Sequence, residues 1–241
     1  RRKRKRTPEE RGRIQMSQRS QNAVGVFLLL VVTLAYFLIF SPRLLTGRQM
    51  MYGSDWLGGG GYPLREWITD SIGSTHRIPL WASLVSSGLP TVAAPYGDVI
   101  SIWAFIRLFM PTHTLWTYMF VVGIWLAGVG VYLFLQNIEL RRWVSFLGAV
   151  MYMFSGSIVS MTFAGHEGKV MGAALFPFIL LLFHKGLTTH RLPYFVFAGA
   201  VTGLSFLNAH FQLSYYALLV CGCYFVLQMV WQRRKNRAKQ V

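Results

Sequence analysis

The placement of charge constrains this chain more than any other feature. Long apolar segments alternate with short polar ones, and most of the 24 Lys and Arg residues fall in every second polar segment. A spanning helix needs roughly 20 mostly apolar residues, and soluble domains rarely repeat such runs. The pattern predicts an all-α integral membrane protein with six transmembrane helices. The spans are Ala23–Phe40, Thr114–Leu135, Trp143–Ala164, Val170–Leu187, Leu192–Ala209 and Phe211–Trp231.

Charge then predicts topology. With both termini cytoplasmic, the inside segments hold the basic residues of 1–22, Arg141, Arg142, Lys185, Arg191 and the basic tail 232–241. The outside segments hold Arg43, Arg48, Arg65, Arg77 and Lys169, matched by Asp55, Glu66, Asp70, Asp98 and Glu167. Lys/Arg excess marks the cytoplasmic side. The first apolar run is longer than a signal-peptide core, and Ser41-Pro42-Arg43 is no cleavage site, so it reads as a retained anchor. The net charge of +16 does not point to nucleic acid. The basic tails abut membrane spans, where each residue gains about 1 kcal/mol from anionic head groups. Cys221 and Cys223, at i and i+2, point apart on a helix and read as packing residues.

Residues 43–111 form the single long outer loop. Gly58-Gly59-Gly60-Gly61 is a flexible link, and Pro63 suits a helix start. Leu64, Trp67, Ile68 and Ile72 recur at helical spacing, which predicts a short amphipathic helix lying apolar face down on the membrane. Ile78–Trp81 and Ser87–Pro90 read as turns. Val99–Met110 is too short to span and reads as interfacial or re-entrant, with Asp98 as its N-cap or as a second acid of a site.

Polar residues at the outer ends of the spans are the candidates for chemistry. A carboxylate such as Asp55, close to the bilayer, acts as a general base or coordinates a divalent metal; the competing reading is a solvated loop acid. In the turn Gly165-His166-Glu167-Gly168-Lys169, Lys169 suits a lipid phosphate and His166 a hydrogen bond or a proton. The bland alternative is a polar turn with a snorkelling lysine. Asn208, His210 and Gln212 sit at the next outer turn, where polar groups near hydrocarbon need partners or a wet cavity. No phosphate loop, dinucleotide fingerprint, zinc motif or histidine pair at metal spacing is present. A transporter is disfavoured, because no acid lies within a predicted span and no broken helix pair is evident.

The stretches Phe163–Lys169 and Leu207–Tyr216 resemble the Gly-His-x-x-Lys and small-His-x-Gln-x-x-Tyr-Tyr segments of YfhO-like bacterial membrane proteins. Gly53-Ser54-Asp55, Pro63-Leu64-Arg65-Glu66, Pro79-Leu80-Trp81, Gly88-Leu89-Pro90 and Ala94–Asp98 follow that family in order. The resemblance implies a glycosyltransferase scaffold of the GT-C type in the bacterial cytoplasmic membrane. Such a scaffold moves a sugar from a polyprenyl-phosphate donor to an envelope acceptor on the outer face. It implies Asp55 as catalytic carboxylate and Lys169, His166 and Arg65 as phosphate ligands, with His210 and Gln212 lining the same cavity. Family members are longer, so the chain matches the N-terminal six-span part. A second expectation stands beside this one: a shortened, non-catalytic relative that serves as an accessory subunit of a larger photosynthetic or respiratory membrane complex.

Overall fold

The computed structural model describes residues 8–47, 49–51, 53–55, 61–83, 85, 87–92, 99–208 and 210–237. Among them the chain is almost wholly helical: α1 (Pro8–Phe40), α2 (Pro42–Leu45), α3 (Gly61–Thr75), α4 (Ile102–Arg107), α5 (Thr112–Asn137), α6 (Arg142–Met153), α7 (Gly156–Ala164), α8 (Glu167–Thr189), α9 (Leu192–Phe206) and α10 (Phe211–Arg237). A two-residue antiparallel ribbon, β1 (Trp81–Ala82) with β2 (Leu89–Pro90), is the sole sheet among these residues.

Among the described residues, five segments are long and apolar enough to cross a membrane: Ser20–Phe40, Thr112–Asn137, Arg142–Ala164, Glu167–Thr189 and Phe211–Trp231. The protein is an all-α, multi-pass membrane protein. Helix α9, with 15 residues, is shorter than a full span. It stops at Phe206, and Ala209 lies outside the described residues. Helix α1 begins at Pro8, well before the apolar run, so much of the basic tail is helical.

One predicted span is interrupted. Between α6 and α7 the chain leaves helical geometry at Phe154–Ser155, with Ser155 at φ −62° and ψ 148°. Ser155-Gly156-Ser157 is a run of poor helix formers that favour caps over helix interiors. The sequence reading missed this break because apolar periodicity continues across it.

The core lies between α1, α5, α6, α7 and α8. Leu29 and Phe37 of α1 meet Trp116, Phe120, Ile124 and Tyr132 of α5, Met153 of α6, Ile158 of α7 and Val170 of α8. Helices pack without a hydrophobic drive in lipid, so close fit matters. Gly123 and Gly130 let α5 approach α8, where an added Cβ would press on Val170 and Phe178. Helix α10 closes on α8 through Ile179, Ala217 and Cys221, and Ser205 Oγ lies 2.8 Å from Ser214 Oγ between α9 and α10. Cys221 is buried and Cys223 exposed, both free, so the two do point apart.

Successive helices give the bundle two ends. At one, Arg141 and Arg142 start α6, and Gln136 Nε2–H donates to Ser145 Oγ at 2.8 Å across the α5–α6 turn. At the other, α2, α3 and α4 pack against α5.

The 43–111 loop makes a small core of its own. Leu64 and Ile68 of α3 are 2% and 1% exposed, packed with Ala82 and Val99. The apolar face of the predicted surface helix is therefore covered by protein and not laid on lipid. Gly61, expected in the flexible link, opens α3; Gly58 to Gly60 lie outside the described residues. The stretches read as turns supply β1 and β2, and Gly88 between them has φ +111°. The N-cap of α4 is Ser101, whose hydroxyl accepts from the Ala104 N–H at 3.0 Å. Asp98, expected to cap it, lies outside the described residues.

Candidate functional site

The candidate site forms where three backbone segments touch at the loop end of the bundle. A Cβ added to Gly53 would sit 2.6 Å from Gly165 Cα, and one added to Gly168 would sit 2.5 Å from the Asn208 carbonyl oxygen. Only glycine permits such approaches. Gly165 also ends α7 in the left-handed region, at φ +82°. The segment carrying Gly53 is tied to α5 just upstream. The Met51 N–H donates to Thr117 Oγ1 at 3.0 Å, and Trp116 Nε1–H donates to the Met51 carbonyl at 3.2 Å.

These contacts bring Asp55 to His166, with Oδ2 and Nε2 3.4 Å apart. The Ser54 hydroxyl donates to the other Asp55 oxygen at 3.2 Å. Asp55 is 64% exposed and His166 22%. Lys169, partly buried, follows in the first turn of α8. Burial holds the His166 pKa below its usual value; the Lys169 charge pushes the same way, and Asp55 opposes both. His210 is lowered too, by burial first, then by Lys169 and His166. Both imidazoles are thus biased toward the neutral form, in which a ring nitrogen donates or accepts. The resulting order is an acid, an imidazole, an ammonium and a second imidazole.

Beneath them lies a buried ion pair. Arg65 Nη2–H donates to Glu167 Oε1 at 2.5 Å, with the two side chains 2% and 1% exposed. The Arg65 guanidinium also lies 5.9 Å from the Trp116 ring, and Tyr62 meets that ring edge-on at 6.3 Å. Burial and the neighbouring Glu66 carboxylate push the Tyr62 phenol up to about 12. Glu167 sits in the first turn of α8, where the helix dipole favours an anion.

Asp55, His166, Lys169 and His210 therefore come together as a group. Arg65, expected as a phosphate ligand, is instead turned inward onto Glu167, so it braces the site from below. Gln212 opens α10 with an exposed side chain and donates to Tyr216 Oη at 2.6 Å on its own helix. Among the described residues, no three His, Cys, Asp or Glu side chains converge to hold a metal ion. Sequence reasoning placed Glu167 in the right turn but assigned it no task. The usable signal was its position at the edge of hydrocarbon, where an acid needs a partner. Comparison with known proteins finds no family model, no curated protein and no solved structure that matches this chain.

Proposed function

We propose that the protein transfers a sugar from a polyprenyl-phosphate donor to an envelope acceptor at the outer face of a bacterial cytoplasmic membrane. In this reading the chain crosses six times, with both termini in the cytoplasm. The anomeric carbon–oxygen bond to the donor phosphate breaks as a new bond forms to the acceptor hydroxyl. The hydroxyl proton passes to Asp55, and the polyprenyl phosphate leaves with the bonding electrons. Lys169 and the neighbouring imidazoles meet the charge that develops on the phosphate. The observation that carries the reading is the 3.4 Å Asp55–His166 contact with Lys169 and His210 beside it. The test is transfer from a radiolabelled polyprenyl-phosphate sugar by purified protein. Asp55→Asn should lower the rate at least about 100-fold, within the range that general-base catalysis contributes. Unchanged transfer by that variant overturns the reading.

The second reading is a non-catalytic subunit of a larger membrane complex. It draws on Gly199, Gly203 and Gly222, around which no described atom lies within 4 Å of a built Cβ. Such open small-residue surfaces in a bilayer suit a neighbouring helix. Fixed-ratio co-purification with other membrane subunits supports this reading, and a monomer that transfers sugar alone rules it out.

A further inference from the structure

Two cavities meet below the candidate site. One, of about 280 Å³, lies between α1, α5 and the α6–α7 break, lined by Tyr36, Ile124, Met153, Phe154, Ile158 and Thr162. The other, of about 500 Å³, lies between the last turn of α1 and residues 49–51. Tyr36 and Met51 line both, so the two are parts of one groove. Its combined size is that of a small-molecule site, about 300–1,000 Å³.

Three properties of the groove point to one ligand chemistry. Its walls are mostly apolar, and its flank opens to lipid where Phe40 and Phe163 are 73% and 70% exposed. Its depth suits a chain segment: Ile124 lies ~10 Å along α5 from Thr117, to which Met51 is tied, at 1.5 Å rise per residue. Its upper end leads to the acid. Met51 is followed by Gly53 and Asp55, and Phe163 by Gly165 and His166, the residues in contact above. The groove ends at Met51 and Phe163, each two residues before the Gly53–Gly165 contact, and Asp55 follows beyond that contact, outside the lining itself. Lys169 and His210 stand beyond His166, which feels both Asp55 and Lys169. A carboxylate beyond the end of an apolar groove repels a phosphate and accepts a hydroxyl proton.

We infer that this groove holds the hydrocarbon chain of a hydroxyl-headed lipid, with the hydroxyl at Asp55. The inference deepens the transfer reading, on which it rests for the fate of the hydroxyl, by naming the acceptor as a lipid alcohol. The anionic donor then takes the cationic side, at Lys169 and His210. The break between α6 and α7 acquires a purpose, because it places Met153 and Phe154 as the floor of the groove.

The test is photolabelling of the full chain in nanodiscs with two probes of equal length. One is a long-chain alcohol with a mid-chain diazirine, the other the matching alkyl phosphate. Peptide mass spectrometry should find the alcohol on Ile158, Val159, Thr162 or Met153. Val159→Trp and Thr162→Trp, each checked for unchanged helix content and monodispersity, should abolish that labelling. Asp55→Asn should remove the preference for the alcohol. Equal labelling of the groove by the alkyl phosphate overturns the inference, as does labelling spread evenly over lipid-facing positions such as Val196 and Leu227. Labelling requires no sugar, so groove labelling without transfer sinks the transfer reading alone. Transfer without groove labelling sinks this inference alone.

Discussion

Arg65 and Glu167, 102 residues apart in the chain, form an ion pair at 2.5 Å with almost no solvent access to either side chain. The pair joins α3 to the first turn of α8, one residue from His166. Removing one partner of a buried pair strands the other charge and costs about 3–5 kcal/mol. Glu167→Gln and Arg65→Met should therefore lower the thermal unfolding midpoint in detergent substantially. The double variant Arg65→Met/Glu167→Leu should lose less than the sum of the singles, because no charge is left behind. Additive losses would show that the two side chains do not act as a pair.

Titration of His166 reads out the site directly. Its midpoint, followed by NMR of the ring proton, should lie below 6.5, the ordinary value for the group. Because Asp55 raises the midpoint and Lys169 lowers it, Asp55→Asn should move it further down and Lys169→Gln should move it up. Opposite movements would mean that the three groups are not neighbours.

The same shifts make stability depend on pH with a definite sign. His166 and His210 have folded pKa values below the unfolded one, so the unfolded chain binds more protons as pH falls past 6.5. Stability should be full above about 6.5 and decline through the window between that value and the depressed folded values. Replacing both residues with Gln should flatten the unfolding midpoint across this window. A wild-type midpoint independent of pH between 5 and 7 would contradict the placement.

Gly168 tests the backbone contact that brings the third segment in. Gly168→Ala would drive a methyl group into the Asn208 carbonyl, while Gly199→Ala would enter open space. The first should cost about 1–3 kcal/mol, and the second should cost nothing measurable or stabilise α9 slightly. Thermal unfolding of the two variants side by side decides this, and equal effects would be the refuting result.

The topology proposed from charge can be checked at two exposed positions. With Cys221 and Cys223 replaced, single cysteines at Asp70 and Thr188 should be labelled from opposite sides of the membrane by an impermeant thiol reagent. Labelling of both from one side would refute the topology, and labelling of position 70 only from the cytoplasmic side would reverse it.

Much of this was legible in the chain itself. Apolar runs of spanning length placed five spanning segments within a few residues, because a bilayer imposes a length that sequence records directly. Asp55, His166, Lys169 and His210 were identifiable as polar groups at the ends of spans, since their cost near hydrocarbon makes them conspicuous. The Phe154–Ser155 break was not, because membrane apolarity continues through Ser155 and Gly156 and hides weak helix propensity. The Arg65–Glu167 pairing was hidden for a related reason. A basic residue in a polar loop looks exposed until the tertiary fold brings an acid to it.

Sequence alone determined the class of the protein, the position of five apolar segments of spanning length and the asymmetry of its charge. These depend on each segment's free energy in lipid or water, a local property. Tertiary structure decided which outer segments meet, that the apolar face of α3 is covered by Ala82 and Val99, and that Arg65 turns inward to Glu167. Those outcomes depend on backbone approaches at Gly53, Gly165 and Gly168 between segments about a hundred residues apart or fewer, where only three-dimensional packing selects the partner.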